Sequence, residues 1–198
     1  MKKGIAFFDF DGTITNKDSL GEFIKFAIGR KAYYKGLFLL APILVAYKAK
    51  IISNSYAKEK LIYHFFKKWD ANSFRKIAEN YAKVEIDKIV RKKARSRIQW
   101  HLKQNHQVVV VSASLACWLE PWCRQNGLEL ISTRLRVSSD NKIVWKFDGK
   151  NCYGDEKVKR ILDAYNLDNF QNIYAYGDSA GDKPMLKLAN KSFYRSFS

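Results

Sequence analysis

The stretch that decides the fold is Ile5-Ala-Phe-Phe-Asp9-Phe-Asp11-Gly12-Thr13-Ile-Thr15. Here an apolar run of strand type ends in two carboxylates spaced one residue apart, followed by a glycine and two hydroxyls. Because side chains alternate faces along a strand, we expect Asp9 and Asp11 to point the same way from its end. Two such carboxylates repel each other unless a cation or a shared proton lies between them, and oxygen ligands of this kind suit Mg²⁺. The alternative interpretation is a strand end followed by an ordinary Asp-Gly turn.

Length and composition are those of one globular core that can carry a smaller insert. The chain has 198 residues, of which 47% are apolar, and this apolar content argues against disorder. Its cysteines, Cys117, Cys123 and Cys152, are odd in number and lack the spacing of a zinc site, which is typical of inert thiols in a reducing compartment. The short apolar run after the basic N-terminus is not typical of a signal peptide. We therefore expect a cytoplasmic protein.

The formal net charge of +17 favours anionic partners: phosphorylated metabolites, nucleic acid or an anionic membrane face. A dense basic cluster at residues 88–97 is either a solvated helix face or a functional basic surface. It comes without a zinc finger or an aromatic-glycine RNA-binding signature, so no specific nucleic-acid partner is predicted.

The second half of the chain alternates strands with helices. The β-branched run at 108–111 indicates a strand buried on both faces, as in a parallel sheet. Further strands are predicted at 128–132 and 172–176, with helices at about 115–125, 155–165 and 182–189. Two segments flanking Ser-Ser-Asp-Asn, at 134–137 and 143–147, are predicted to form a hairpin. This alternation predicts an α/β fold with a doubly wound, Rossmann-like parallel sheet.

Between the first strand and residue 100 the sequence has no clear strand and is mainly helical. Helices are predicted at 19–28, within 31–52, at 55–69 and at 73–100, the first capped by Ser19 with Glu22 completing a capping box. We therefore predict an α/β catalytic core formed by residues 1–16 and 101–198. Residues 17–100 are predicted to form an all-helical cap domain inserted after the first strand.

Polar side chains follow the other predicted strands where ligands bind in such sheets, at the carboxyl ends. Ser112 follows the second strand, and Asp178 and Asp182 follow the strand at 172–176. Lys157 lies near the start of a helix. Singly, these residues have ordinary interpretations: a helix cap, a turn residue and a surface lysine. Together with the first pair of aspartates, in this order, they indicate a site.

These motifs resemble the four signature motifs of the haloacid dehalogenase-like (HAD) phosphatases, and the resemblance covers nearly the whole chain. The motifs are Asp9-Phe-Asp11-Gly-Thr13, Ser112, Lys157 and Gly-Asp178-Ser-Ala-Gly-Asp182. The helical insert after the first motif is similar to the cap of the phosphoserine-phosphatase-like subfamily, subfamily I with a C1-type cap.

The resemblance implies a role for each acid. Asp9 would be the nucleophile that becomes an aspartyl phosphate, and Asp11 would be the general acid and base. Mg²⁺ would be held by Asp9, by the backbone carbonyl of Asp11 and by Asp178, with Asp182 completing the metal environment. An aspartate at position 11 also argues against dehalogenase chemistry, in which no alkoxide needs a proton.

The resemblance also implies how the phosphoryl group is bound. Ser112 and Lys157 would hold its oxygens, and Thr13 would support the phosphate-binding loop. A Walker-type phosphate loop is missing from the sequence, which excludes an ATPase of that class. Asp18 lies where phosphoserine phosphatases carry an acid that meets the substrate amine, but it could equally stabilise a helix N-terminus.

The cap segment 36–47, Gly-Leu-Phe-Leu-Leu-Ala-Pro-Ile-Leu-Val-Ala-Tyr, bears on the substrate. It is shorter than the roughly 18 to 20 residues that a membrane span needs. Three interpretations stay open: a buried cap helix, an interfacial segment that docks on lipid, and an oligomer contact. With its basic flanks, the cap resembles that of the bacterial phosphatidylglycerophosphate phosphatases of this superfamily.

We therefore expect an Mg²⁺-dependent phosphomonoester hydrolase that works through an aspartyl phosphate. Its expected substrate is a lipid phosphate such as phosphatidylglycerophosphate, reached by peripheral contact with the anionic inner membrane. The alternative within this class is a phosphatase for phosphoserine or another small metabolite. The alternative of another class is a catalytically idle basic module that binds membrane or nucleic acid.

Overall fold

The computed structural model describes residues 2–138 and 142–197. Its strands are β1 (Lys2–Phe8), β2 (Gln107–Leu115), β3 (Glu129–Thr133), β4 (Leu135–Val137), β5 (Ile143–Phe147), β6 (Phe170–Gly177) and β7 (Lys191–Tyr194). Five of them form one sheet in the order β3-β2-β1-β6-β7, and all four neighbouring pairs are parallel. β4 and β5 form a separate antiparallel pair. The sequence does not predict the edge strand β7.

Helices cover the sheet and build the insert. They are α1 (Ser19–Ile28), α2 (Arg30–Leu39), α3 (Ala41–Lys48), α4 (Asn54–Phe66), α5 (Ala71–Val84), α6 (Ile86–Ile89), α7 (Lys92–Lys103), α8 (Ala116–Gln125), α9 (Asp155–Ala164) and α10 (Lys183–Leu188). The helices α1 to α6 follow β1 as a continuous helical insert, whereas α8, α9 and α10 connect strands. The predicted doubly wound, Rossmann-like α/β fold with a helical insert is confirmed.

β1 is the central strand, and both of its faces are buried. Ile5 and Phe7 pack into the hydrophobic cluster on one side of the sheet, and Ala6 and Phe8 pack into the larger cluster on the other side. All four are fully buried. A strand covered on both faces needs apolar residues at every position, which explains the uninterrupted apolar run.

The prediction of one helix over 73–100 is wrong, because the chain breaks there into α5, α6 and α7. Val90 has extended backbone angles and forms an isolated antiparallel bridge with Thr15. The Arg91 N–H donates to the Ile14 carbonyl oxygen at 2.8 Å. The two chain segments that join insert and core therefore run side by side. α7 then packs against the core strand β2. This contact does not favour placing residues 92–100 in the cap. The predicted domain bounds, with a cap of residues 17–100, stay a proposal.

The β4–β5 pair closes on the insert. Trp145 of β5 lies edge-on to Phe74 of α5, with ring centroids 5.3 Å apart, and stacks over Phe66 of α4 at 6.3 Å. The Phe147 N–H donates to Glu59 of α4 at 2.8 Å. The predicted hairpin strands are thus present, while residues 139–141 of the predicted turn lie outside the described residues.

The apolar segment 36–47 comprises the last four residues of α2 and nearly all of α3, with Leu40 between the two helices. Gly36 and Leu40 are buried, but α3 has no buried side chain, and Phe38 is 80% exposed. The interpretation of this segment as a buried cap helix is therefore wrong. In the described part of the chain, no helix is both long and apolar enough to span a bilayer.

Two histidines meet beside the sheet. The Nδ1 atoms of His101 and His106 are 2.8 Å apart, and His101 Nε2 lies 3.0 Å from the Tyr176 hydroxyl. Burial, together with the nearby His106 and Arg97, lowers the pKa of His101 from 6.5 to about 3. His101 is therefore a neutral hydrogen-bonding group of the core at ordinary pH.

Candidate active site

The candidate site lies at the carboxyl ends of three adjacent strands. Asp9 follows β1, Ser112 lies near the end of β2, and Asp178 follows β6. Because β1 pairs in parallel with both β2 and β6, these ends meet at one edge of the sheet. The Asp9 N–H donates to the carbonyl oxygen of Tyr176 at 2.9 Å, which ties the end of β1 to β6.

Lys157 joins the motifs. Its Nζ donates to Asp9 Oδ1 at 2.6 Å, to Asp182 Oδ1 at 2.7 Å and to the carbonyl oxygen of Val111 at 2.7 Å. Lys157 is only 1% exposed. Burial alone would lower the pKa of this ammonium, but the two carboxylates raise it above its ordinary value. Lys157 is therefore a fixed cation, and not one surface lysine among many.

The pKa values of the two carboxylates that contact Lys157 are shifted in opposite directions. Burial raises the pKa of Asp9 to about 7, against the attraction of Lys157 and with a further rise from the charge of Asp182. The pKa of Asp182 is held below its ordinary value, because Lys157 and the hydrogen bonds from Ser179 outweigh the effect of burial. A cation bound at the site would favour the ionised form of Asp9 as well.

The turn after β1 brings Asp178 against the backbone. Gly12 has φ +86°, and a Cβ added there would lie 2.3 Å from Asp178 Oδ2. The Thr13 hydroxyl donates to Asp178 Oδ1 at 3.1 Å. A glycine is therefore required at position 12 by both the backbone angle and the close carboxylate.

The donor set fits a hard divalent cation. Asp9, Asp178 and Asp182 each offer a carboxylate oxygen, and these atoms lie within 4.8 Å of one another. Oxygen ligands grouped in this way suit Mg²⁺. The Asp11 side chain is not part of this group, and its backbone carbonyl stays a predicted ligand.

The side chain of Asp11 is bound away from the three carboxylates that could hold a metal ion. Its Oδ1 accepts from the Ser19 N–H at 2.7 Å, and its Oδ2 accepts from the Ser114 hydroxyl. Burial and the charge of Asp18 raise the pKa of Asp11 to about 6, while the bonds from Ser114 and Ser19 oppose the rise. A carboxyl group that titrates near neutrality is suited to give and take a proton.

Ser112 is almost completely buried, and its Oγ accepts from the Ser114 N–H at 3.0 Å. This bond lies at the end of β2, where the register of β2 with β3 shifts between Ser112 and Leu115. The role of Ser112 toward phosphate stays a prediction.

Two residues near the site are not among those that the sequence predicts. The Ser114 hydroxyl donates to Asp11 and lies 3.0 Å from the Ser19 hydroxyl. Lys58 of α4 donates to the carbonyl oxygen of Ala113 at 3.1 Å and helps to lower the pKa of Asp11. Ser114 could have been found as the second hydroxyl of Ser-Ala-Ser, but no local signal distinguishes Lys58 from other lysines.

Asp18 is exposed and caps α1, because its Oδ2 accepts from the Gly21 N–H at 2.8 Å. The prediction of Ser19 as the cap is wrong: Ser19 is the first helical residue, and its side chain points to Ser114. The helix-capping alternative for Asp18 is therefore observed. Contact between Asp18 and a substrate stays a prediction.

Comparisons with curated proteins identify relatives along most of the chain. Protein CicA of Caulobacter vibrioides is 33% identical over 193 residues, which cover 96% of this chain and 85% of CicA. A histidinol-phosphatase of Neisseria meningitidis is 22% identical over 211 residues, covering 96% of this chain and 88% of that protein.

Solved structures share the fold. A protein of unknown function from Bordetella pertussis superposes with a TM-score of 0.84 at 20% identity, covering 97% of this chain and 89% of that one. A phosphoserine phosphatase in its apo form superposes with a TM-score of 0.67 at 19% identity, covering 98% and 86%.

The sequence model of the haloacid dehalogenase-like hydrolases matches residues 6–187, a range that contains all four motifs. This match agrees with the fold and with the order in which the motif residues reach the site. The prediction of a HAD-type phosphatase is thereby confirmed at the level of family and enzyme class, and the chain belongs to the haloacid dehalogenase-like hydrolases.

Proposed function

We propose that the protein is an Mg²⁺-dependent phosphomonoester hydrolase that forms an aspartyl phosphate on Asp9. The observation that carries the proposal is the buried cluster in which Lys157 contacts both Asp9 and Asp182 while Asp178 completes a group of carboxylates. This cluster supplies a nucleophile, a fixed cation and a set of metal ligands at one edge of the sheet.

The first half-reaction uses Asp9 and Asp11. Lys157 holds Asp9 Oδ1, which leaves Oδ2 to attack phosphorus as the bond from phosphorus to the leaving oxygen breaks. Asp11 gives its proton to the departing alkoxide. Asp9 then carries the phosphoryl group, and Asp11 is ionised.

The second half-reaction restores both acids. The Asp11 carboxylate takes a proton from water as the water oxygen attacks phosphorus, and the bond between phosphorus and Asp9 breaks. Inorganic phosphate leaves, Asp9 is again a carboxylate and Asp11 is again protonated. Covalent capture thus divides one difficult hydrolysis into two easier steps.

The charge of the phosphomonoester must be offset, because a dianion repels a carboxylate nucleophile. Lys157 is positioned to do this beside Asp9, and we propose that Ser112 binds a phosphoryl oxygen. Mg²⁺, held by Asp9, the Asp11 carbonyl and Asp178 with support from Asp182, would supply further positive charge when bound.

The test is hydrolysis of p-nitrophenyl phosphate with and without Mg²⁺. We expect turnover that is lost on chelation, restored by added Mg²⁺ and abolished by Asp9→Asn. Asp163→Asn, a change at an exposed acid of α9, is the matched control and should retain turnover. Acid quenching should trap phosphate on the wild-type chain and none on the Asp9 variant. Turnover that persists in Asp9→Asn would overturn the proposal, and an idle binding module predicts no turnover at all.

For the substrate, we propose a lipid phosphate such as phosphatidylglycerophosphate. The exposed apolar and basic side chains of α2 and α3 support this class. The similarity to a histidinol-phosphatase supports the alternative, a small-metabolite phosphatase. A panel with phosphatidylglycerophosphate in micelles, phosphoserine and histidinol phosphate distinguishes the two. A higher kcat/KM for a soluble amine phosphate would refute the lipid proposal.

A further inference from the structure

The cap carries a group of exposed apolar side chains that lie close together in the sequence, here called the cap surface. Phe38 is 80% exposed and Ile51 is 77% exposed. Single exposed apolar residues are ordinary on a soluble protein, whereas several within 18 residues mark a contact surface. The large apolar members are Tyr34, Phe38, Leu39, Val45, Tyr47 and Ile51.

The segment that carries the cap surface contains charged side chains of one sign only. Residues 23–58 contain seven lysines and arginines and no aspartate or glutamate. Within α2, spacing of four residues places Tyr34 and Phe38 on one face and Lys31 and Lys35 on the adjoining one. All four of these side chains are exposed. Apolar residues flanked by lysines, without acids, are the composition of segments that lie in a membrane interface.

The same charges argue against a second copy of the chain as the occupant. In a two-fold dimer, the same patch meets itself. Exposed cations from one chain, among them Arg30, Lys48 and Lys50, would then face those of the other, with no acid from this segment to pair them. An anionic bilayer meets both features, because its headgroups attract the lysines and its acyl boundary accepts the apolar side chains.

The cap surface is connected to the catalytic site. The Tyr47 hydroxyl accepts from Asn54 Nδ2 at 2.8 Å, and Asn54 Oδ1 accepts from Asn151 Nδ2 at 2.8 Å. Two residues further on, Tyr153 packs against Gly181, where an added Cβ would come within 2.2 Å of the tyrosine ring. Gly181 directly precedes the last motif aspartate. The Tyr47 end of the cap surface is therefore linked by a series of contacts to residues that border the site.

We propose that the cap surface docks the enzyme on an anionic lipid bilayer, with its apolar side chains in the interface and its lysines at the headgroups. This inference rests on the proposed function, because it names where a lipid substrate is met. Docking can nevertheless be tested separately from catalysis, because binding to vesicles needs no turnover.

The test is co-sedimentation with vesicles of phosphatidylcholine, with and without about one third phosphatidylglycerol. The wild-type chain should partition at least about tenfold more strongly onto the anionic vesicles. The double change Phe38→Ser with Ile51→Ser should weaken that binding by about tenfold or more, since each residue loses apolar contact. Lys31→Gln with Lys35→Gln should weaken it several-fold, on anionic vesicles alone.

Leu162→Ser is the matched control, because Leu162 of α9 is 52% exposed but lies outside the cap surface. It should bind as the wild type does, and circular dichroism should show every variant folded. Asp9→Asn should also bind. A wild-type chain that binds the vesicles but does not hydrolyse p-nitrophenyl phosphate would refute the proposed function and leave docking standing. Absence of wild-type binding to anionic vesicles would overturn the docking proposal. So would a dimer in light scattering that is lost in the Phe38/Ile51 variant without any vesicle binding.

Discussion

Gly12 allows a direct test of the close approach between the turn after β1 and Asp178. In Gly12→Ala, an alanine at φ +86° costs about 1–2 kcal/mol of backbone strain. The new Cβ would also lie 2.3 Å from Asp178 Oδ2, so the carboxylate must move. That movement breaks its hydrogen bond from Thr13, worth about 1 kcal/mol. We therefore expect a loss of about 2–3 kcal/mol in the free energy of unfolding.

The same movement should weaken metal binding, because Asp178 is a proposed ligand of Mg²⁺. We expect the half-saturating Mg²⁺ concentration for p-nitrophenyl phosphate hydrolysis to rise by about tenfold or more. Gly127→Ala is the control: its φ is +69°, and no atom lies within 4 Å of the added Cβ. It should lose about 1–2 kcal/mol by urea unfolding and keep its Mg²⁺ dependence. If both variants responded equally to Mg²⁺, the reasoning about Asp178 would be refuted.

Further predictions concern the histidine pair, the hairpin and the buried lysine. His101 has a pKa of about 3 when folded and 6.5 when unfolded, so the unfolded chain binds more protons between these values. Its contribution to stability is lost as pH falls below about 6.5, at about 1.4 kcal/mol per pH unit between the two pKa values. The slope of the free energy of unfolding against pH should therefore be shallower in His101→Gln. Trp145→Ala should destabilise the fold by about 3 kcal/mol, because the ring is buried against the cap, while the exposed Val144→Ala should change it by under about 0.5 kcal/mol. Lys157→Met should reduce turnover by about 100-fold or more at saturating Mg²⁺, whereas Lys159→Met on the exposed face of α9 should leave turnover nearly unchanged; equal rates would contradict the role of Lys157.

Strand positions and motif order could be predicted from the sequence because both are encoded locally. A strand buried on both faces must be apolar throughout, as residues 108–111 are, and parallel strands bring their carboxyl ends to one edge. The edge strand β7 carries no such signal, since Lys191 is exposed and only one side of the strand is paired. β7 becomes a strand because it pairs in parallel with β6, a contact between residues distant enough in sequence that no local pattern predicts it.

Features that depend on distant contacts could not be predicted. Helical periodicity runs through Val90, and only its bridge to Thr15 shows why the helix ends there. His101 and His106 are five residues apart, yet their contact requires the turn after α7. Exposure of α3 was likewise open, because an apolar segment has the same sequence whether it is buried or docks on a surface.

The central place of β1 has a consequence for synthesis of the chain. β1 is made before its neighbours β2 and β6, which begin only at Gln107 and Phe170. During translation, both edges of this apolar strand therefore stay unpaired until most of the chain has been made. Only then can its backbone N–H and C=O groups form their hydrogen bonds with β2 and β6. Such late, long-range pairing slows folding, and it leaves an apolar, aggregation-prone strand exposed to other nascent chains. The helical insert emerges directly after β1 and is the first partner available to shield it.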